Sequence, residues 1–297
     1  MGVTRTITIG HTPDLDDAFM FYAMAQGAVS LEGLAVEHVI TDIQTLNERA
    51  RTAELDVTAV SVAAYPSVAK DYWMLGVGSS VGEGYGPLVV AKRPLAVEDL
   101  KGCRIAVPGL QTTAYVTLCL AVDGLIPVVM PFSDIPEAVL NDRVDAGLLI
   151  HERQLTYRDQ GLLPILDLGM WWKTETRLPL PLGVNVVRRS LGKAVAQRLA
   201  QGLKDSILWA MTHQDEVIQA CLEPYGRGID LVRARQFVGM YVNEETLLLS
   251  RKSRKAIREF YRRAAIKELL APTRRLTLID PPDQPASRRS DDPSGSQ

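Results

Sequence analysis

The chain has 297 residues, of which 46% are hydrophobic and 23% charged, and its formal net charge is −2. That length suits two lobes of roughly 100–200 residues each, with apolar side chains enough for a core. A charge so close to zero provides no global basic field, which excludes a nucleic-acid or anionic-membrane partner held by bulk electrostatics.

The first half alternates strand and helix. Thr6–Gly10 is a β-branched run predicted as a strand. Asp14–Gly27 reads as a helix, with Asp14, Asp16 and Asp17 in its first turn and Gly27 as its stop. A strand over Val36–Thr41, a helix capped by Asp42 through about Glu54, and a strand over Asp56–Val60 follow, and Ser61 can cap a helix over Val62–Lys70. Tyr72–Gly76 and Gly86–Lys92 are further extended runs. From Pro94 the rhythm restarts. Strands are predicted over Cys103–Val107, Val128–Pro131, Val144–Ile150, Leu162–Asp167 and Leu182–Val187. Helices lie between them over Gln111–Asp123, from Ser133 to Leu140 and over Arg153–Gln160. This alternation predicts parallel sheets with helices on both faces.

The remainder is helical, over Gly192–Thr212, Gln214–Leu222, Leu231–Val238 and Thr246–Leu270. The basic run from Arg251 to Arg263 reads as a solvated helix face, because Glu259 and Glu268 dilute it and no aromatic residues interleave. From Pro272 onward Pro, Ser, Asp and Arg dominate, and the tail is predicted to be disordered. The pattern as a whole suggests an α/β clamshell. Its first lobe comprises residues 1–93 plus 185–271, its second 94–184, and 272–297 form the tail. The chain would cross between lobes near Lys92–Pro94 and Gly183–Val186, and the ligand would bind in the cleft.

Cys103, Cys119 and Cys221 are odd in number and form no CxxC pair, which argues against a disulfide framework and a cysteine zinc site. The start of the chain carries no apolar segment of a secretory signal, and no apolar run reaches the ~18 residues of a membrane span. The expectation is a cytoplasmic protein.

Four loops at strand ends carry the candidate chemistry, since ligands of open α/β sheets bind there. In His11–Asp17, backbone N–H groups at a helix start can hold a carboxylate, and the three aspartates can cap the helix or bind a metal. Val60-Ser61 ends a strand, so Ser61 can serve as cap, ligand contact or both. Pro108-Gly109-Leu110-Gln111-Thr112-Thr113-Ala114 is either a carboxylate cradle or a simple turn and cap. In Ile150-His151-Glu152 an apolar strand ends in a histidine suited to general-base work, or in a merely satisfied strand-end histidine. Glu152 can orient His151 or cap the next helix. His38 and His213 receive no role. No P-loop, GxGxxG, lipase elbow or HExxH element is present, and Gly82–Gly86 reads as a hinge or cleft loop.

Taken in order, these segments resemble the menaquinone-biosynthesis family that holds 1,4-dihydroxy-6-naphthoate synthase and chorismate dehydratase, the naphthoate synthase branch being the closer. The likeness runs through Asp17–Ala23, Thr45-Leu46-Asn47, Val60-Ser61 with Ala63-Ala64-Tyr65, and Gly82–Ala91. It continues through Val107-Pro108-Gly109 with Thr112-Thr113-Ala114, Ala146–Glu152, Trp171-Trp172 and Leu178–Gly183. The resemblance implies a periplasmic-binding-protein type II fold and a carbon–carbon lyase of the futalosine pathway that needs no metal or organic cofactor; a monomer or homodimer is expected. Its substrate would be cyclic dehypoxanthinyl futalosine. It implies His151 as the base and substrate contacts at Ala59, Val60, Ser61, Thr112 and Thr113. Three positions depart from the family's pattern: Leu15 and Asp16 stand where it commonly has a proline and an asparagine, and Ala59 where some members carry a lysine. A chorismate dehydratase and a non-catalytic carboxylate-binding protein of the same fold are the alternatives.

Overall fold

The computed structural model describes residues 5–272 and 276–282. Five strands open the chain: β1 (Arg5–His11), β2 (Leu34–Ile40), β3 (Val57–Ser61), β4 (Tyr72–Leu75) and β5 (Ser80–Gly82). A second group follows: β6 (Leu88–Ala91), β7 (Arg104–Val107), β8 (Ile126–Val129), β9 (Ala146–Leu149) and β10 (Leu163–Asp167). The long β11 (Leu180–Arg188) and the short β12 (Leu278–Ile279) complete the set.

These strands form two sheets. The first has the order β12-β4-β11-β3-β1-β2, with β5 also paired to β11, and the second has the order β10-β6-β9-β7-β8. Alternation explains β1, where Ile7 and Ile9 point into the core beneath the Leu15–Ala25 helix. Strand β3 is buried on both faces, as a central strand between two others must be. The Leu15–Ala25 helix docks on the Lys193–Thr212 helix, and Ser206 fixes the contact by donating to Met20 O at 2.7 Å and accepting from Met24 N at 3.3 Å. No helix among the described residues is long and apolar enough to cross a membrane.

Four departures from the sequence-based expectations concern strand direction, the crossings between sheets, the last helix and the tail. First, the sheets are mixed rather than parallel. β11 runs antiparallel to β3, β4 and β5, and β6 runs antiparallel to β9 and β10. Strands that enter a sheet by crossing from the other lobe are not bound by the βαβ rule that keeps β1, β2 and β3 parallel. Second, the chain changes sheet between Gly82 and Leu88 and again between Asp167 and Leu180. Both changes fall earlier than expected, so 88–91 join the second sheet and 180–184 the first.

Third, the predicted Thr246–Leu270 helix breaks into Glu244–Leu247 and Arg251–Ile266. Leu249 N donates to Gly76 O at 2.8 Å, and the Ser250 side chain caps Ser253 N at 3.1 Å, so tertiary bonding overrides helix propensity there. Fourth, part of the expected disordered tail is a strand. Leu278 and Ile279 extend the first sheet beside Met74 and Leu75, and Arg254 clasps the Asp280 carboxylate with two hydrogen bonds of 3.1 and 2.6 Å. Residues 273–275 and 283–297 lie outside the described residues. A further helix, Leu168–Thr176, buries Trp172, whose indole N–H donates to Pro179 O at 2.9 Å.

Candidate functional site

Strand β3, the loops after β7 and β9, strand β11 and the first helix converge on a cleft of about 710 Å³, its open mouth included. All six residues singled out as catalytic or substrate-binding line it: Ala59, Val60 and Ser61 from β3, Thr112 and Thr113 from the loop after β7, and His151 from the loop after β9. Their surroundings differ in detail from what the sequence suggested.

Ser61 does not cap a helix, since the next helix begins only at Tyr65. Asn47 holds it instead, donating from Nδ2 to Ser61 Oγ at 3.1 Å and accepting from Ser61 N at 2.8 Å. This leaves the Ser61 O–H as a donor at the cleft wall. Ala59 and Val60 form the wall as part of the ladder to Asn185 and Val184. Thr112 is the N-cap of the Thr113–Ala121 helix and accepts from Tyr115 N at 3.2 Å. The Thr113 hydroxyl donates to Leu182 O at 2.6 Å and accepts from Ala63 N at 3.1 Å, pinning the second lobe to the first at the base of the cleft. Both threonine hydroxyls are therefore engaged rather than free, the Thr112 hydroxyl donating to Gly109 O at 2.8 Å. The groups left over are the N–H donors of the helix's first turn, at Thr113 and Ala114, which line the cleft and suit an anion. Replacing the cap, Thr112→Ala, is expected to lower stability by about 1 kcal/mol in urea denaturation, the usual loss for an N-cap.

His151 is held from several sides. Its φ of 54° places a non-glycine residue in the left-handed region, which histidine enters more readily than most side chains. Its Nε2 lies 3.0 Å from Asp14 Oδ2, and its ring meets Phe132 edge-on at 5.2 Å between centroids. Asp14, expected to cap the first helix, makes no capping bond there. Its other oxygen instead takes Arg227 Nη1 at 2.5 Å, and the same Nη1 reaches Glu152 at 3.0 and 3.3 Å. Glu152 thus neither orients His151 directly nor caps a helix; it is the second anion of an Asp14–Arg227–Glu152 cluster that spans the two lobes. Arg227 also lies over the Phe132 ring at 4.4 Å, which holds the guanidinium plane in place.

The remaining aspartates of the first loop have separate surroundings. Asp17 accepts from Thr12 N and Thr12 Oγ1, both at 2.8 Å. Asp16 accepts only from Ser80 Oγ at 3.2 Å, and its Oδ1 has no partner among the described residues. Burial, followed by the charge of Asp17, pushes Asp16 up to about 7, while burial pushes Asp17 up to about 6 against its two Thr12 hydrogen bonds. Among the described residues, no group of three or more His, Cys, Asp or Glu is gathered so as to hold a metal ion.

A raised carboxyl favours the folded state while protonated. Its stability contribution is full below the ordinary carboxylate value of about 4 and is lost as pH rises through about 7. Asp16→Asn is therefore expected to stabilise the protein by roughly 1–3 kcal/mol at pH 8 and little at pH 4, as denaturation midpoints at the two pH values will show.

Sequence reasoning did not find Asp14 as the partner of His151, nor Arg227, Gln154, Asn185 or Tyr241. Arg227 follows a helix more than two hundred residues after Asp14, and only its setting between Gly226 and Gly228 set it apart. Asn185 lines the cleft, its Nδ2 donating to Gly78 O at 2.8 Å and its Oδ1 without a partner among the described residues. Tyr241 approaches the Gln154 amide at 3.0 Å, and burial drives its hydroxyl well above the usual phenol range.

Comparison with known proteins places the chain in a family. The family described as menaquinone biosynthesis matches residues 7–266. A curated relative, the 1,4-dihydroxy-6-naphthoate synthase of Thermus thermophilus, is 36% identical over 275 residues, covering 93% of this chain and 100% of its own length. Among solved structures, a protein of Archaeoglobus fulgidus superposes with a TM-score of 0.86 at 48% identity, over 89% of this chain and 98% of that one. The alkanesulfonate-binding protein of Xanthomonas axonopodis pv. citri, bound to MOPS, superposes with a TM-score of 0.67 at 14% identity, over 92% and 96% of the two chains. That last likeness shows the fold, which is the periplasmic-binding-protein fold. The family match and the identity to the synthase lead to one conclusion: this chain belongs to the menaquinone biosynthesis family.

Proposed function

We propose that the chain is a carbon–carbon lyase of the 1,4-dihydroxy-6-naphthoate synthase type, working in the cytoplasm on cyclic dehypoxanthinyl futalosine in the futalosine pathway. The observation that carries this reading is the convergence of His151, Ser61 and the Thr112-Thr113 helix start on one cleft between the lobes. The free N–H groups of Thr113 and Ala114, with the Ser61 hydroxyl, form a cradle for the substrate carboxylate. With its Nε2–H donating to Asp14, the His151 ring keeps the lone pair on Nδ1, and that nitrogen takes the proton whose removal starts the cleavage. The buried Asp14 carboxylate then stabilises the imidazolium that forms. Release of 1,4-dihydroxy-6-naphthoate and a sugar-derived fragment follows.

The test is direct. Purified protein is incubated with cyclic dehypoxanthinyl futalosine, and 1,4-dihydroxy-6-naphthoate is sought by mass spectrometry. Product above the no-enzyme control supports the lyase. Saturable binding without product would mean a carboxylate-binding protein of the same fold, and conversion of chorismate instead would mean the dehydratase.

A further inference from the structure

Three aspartates lie within one turn at the start of the first helix, and the structure satisfies them unequally. Asp14 has Arg227 and His151; Asp17 has the N–H and hydroxyl of Thr12. Asp16 is equally buried, lines the cleft, and has one hydroxyl partner, Ser80, and no cation within ion-pair distance among the described residues. The charged and titratable groups around it are Asp14 and Asp17 from its own turn, His151 from the loop after β9 and Tyr241 from the Leu231–Tyr241 helix. Arg227, which reaches Asp14 in the same turn, is already shared between Asp14 and Glu152. Burial in such company favours the neutral carboxyl over the carboxylate.

We propose that Asp16 presents a neutral carboxylic acid to the cleft, its Oδ1–H donating a hydrogen bond to an oxygen acceptor of the ligand, a carboxylate or carbonyl, and that it thereby sets ligand specificity. As to the ligand, this rests on the lyase reading above. Ser80 occupies Oδ2, which leaves Oδ1 as the oxygen with no partner among the described residues. An ionised Asp16 would repel a ligand carboxylate held at the Thr113 helix start, whereas a neutral one donates to it. Binding therefore weakens as pH rises through the value of about 7 to which burial brings this group. The chemistry excludes a ligand that offers only donors at this point of the cleft.

Two measurements test the proposal. The first is the infrared difference spectrum of the free protein, wild type minus Asp16→Asn, at pH 6 and pH 9. The expected result is the carbonyl stretch of a protonated carboxylic acid at pH 6, lost at pH 9. Its absence at pH 6 overturns the proposal whether or not the protein turns over any substrate. The second is the KM for cyclic dehypoxanthinyl futalosine against pH. Asp16→Ala is expected to raise KM by about tenfold or more at pH 6, the usual effect of removing a buried hydrogen-bond partner of a charged ligand. Asp16→Asn, which keeps a neutral donor, is expected to restore most of that loss and to flatten the rise of KM above pH 7. An unchanged KM in Asp16→Ala sinks the ligand contact. A wild type inert toward this substrate, yet showing the infrared band, counts against the lyase reading and for the neutral acid.

Discussion

Replacing His151 with asparagine is expected to abolish release of 1,4-dihydroxy-6-naphthoate while the substrate still binds. The loss in kcat should be about 10²–10⁴-fold, the usual contribution of a positioned general base. Asparagine is the informative choice because of the backbone. His151 sits at a φ of 54°, where asparagine is among the better tolerated side chains and alanine is strained. His151→Asn therefore removes the base without disturbing the loop, and its amide can still donate toward Asp14. His151→Ala adds backbone strain and leaves the Asp14 oxygen with one partner fewer. Unaltered turnover in His151→Asn would move the base elsewhere in the cleft. Loss of binding as well as turnover would mean that His151 holds the ligand and does not act on it.

Arg227→Met is expected to destabilise the fold by about 3–5 kcal/mol, because it strands two buried carboxylates whose shared cation it removes. The side chains of Asp14 and Glu152 are 2% and 1% exposed, so water cannot replace the guanidinium. Methionine keeps most of the length and apolar stem of the arginine, which isolates the charge. Three elements meet at this cation: the first loop carrying Asp14, the loop after β9 carrying Glu152, and the turn that follows the Gln214–Tyr225 helix. The variant should thus lose closure as well as stability. Urea denaturation followed by tryptophan fluorescence gives the size of the effect. Adding Glu152→Gln to Arg227→Met should restore part of it, since one stranded charge is then gone. A single-variant loss below about 1 kcal/mol would put the cluster in the class of exposed ion pairs and undo its role as an interlobe tie.

Much of this architecture was legible in local sequence because local rules govern it. Strand–helix alternation gave nearly all the strands and long helices, and the strand-end segments Val60-Ser61, Thr112-Thr113 and His151 do line one cleft. What escaped was set by long-range partners. The direction of β11 follows from its return from the second lobe. The break before Arg251 follows from the bond of Leu249 to Gly76, and β12 from an open edge at β4. The role of Asp14 escaped for the same reason. A first-turn aspartate reads as a cap, and nothing near it in sequence reveals that Arg227 and His151 divide its two oxygens. That the hydroxyls of Thr112 and Thr113 are engaged was not legible, because their acceptors, Gly109 O and Leu182 O, are backbone groups that composition does not expose.

The central claim is that the cleft binds cyclic dehypoxanthinyl futalosine with its reacting carbon at position 151, and one structure tests it most directly. Crystals of His151→Asn, which should bind without turnover, are soaked with the substrate. The expected map places the substrate carboxylate at the Thr113 and Ala114 N–H groups and the Ser61 hydroxyl, with the scissile region against the residue 151 side chain. A ligand bound outside this cleft, or inside it with its carboxylate turned away from the Thr113 helix start, would contradict the claim.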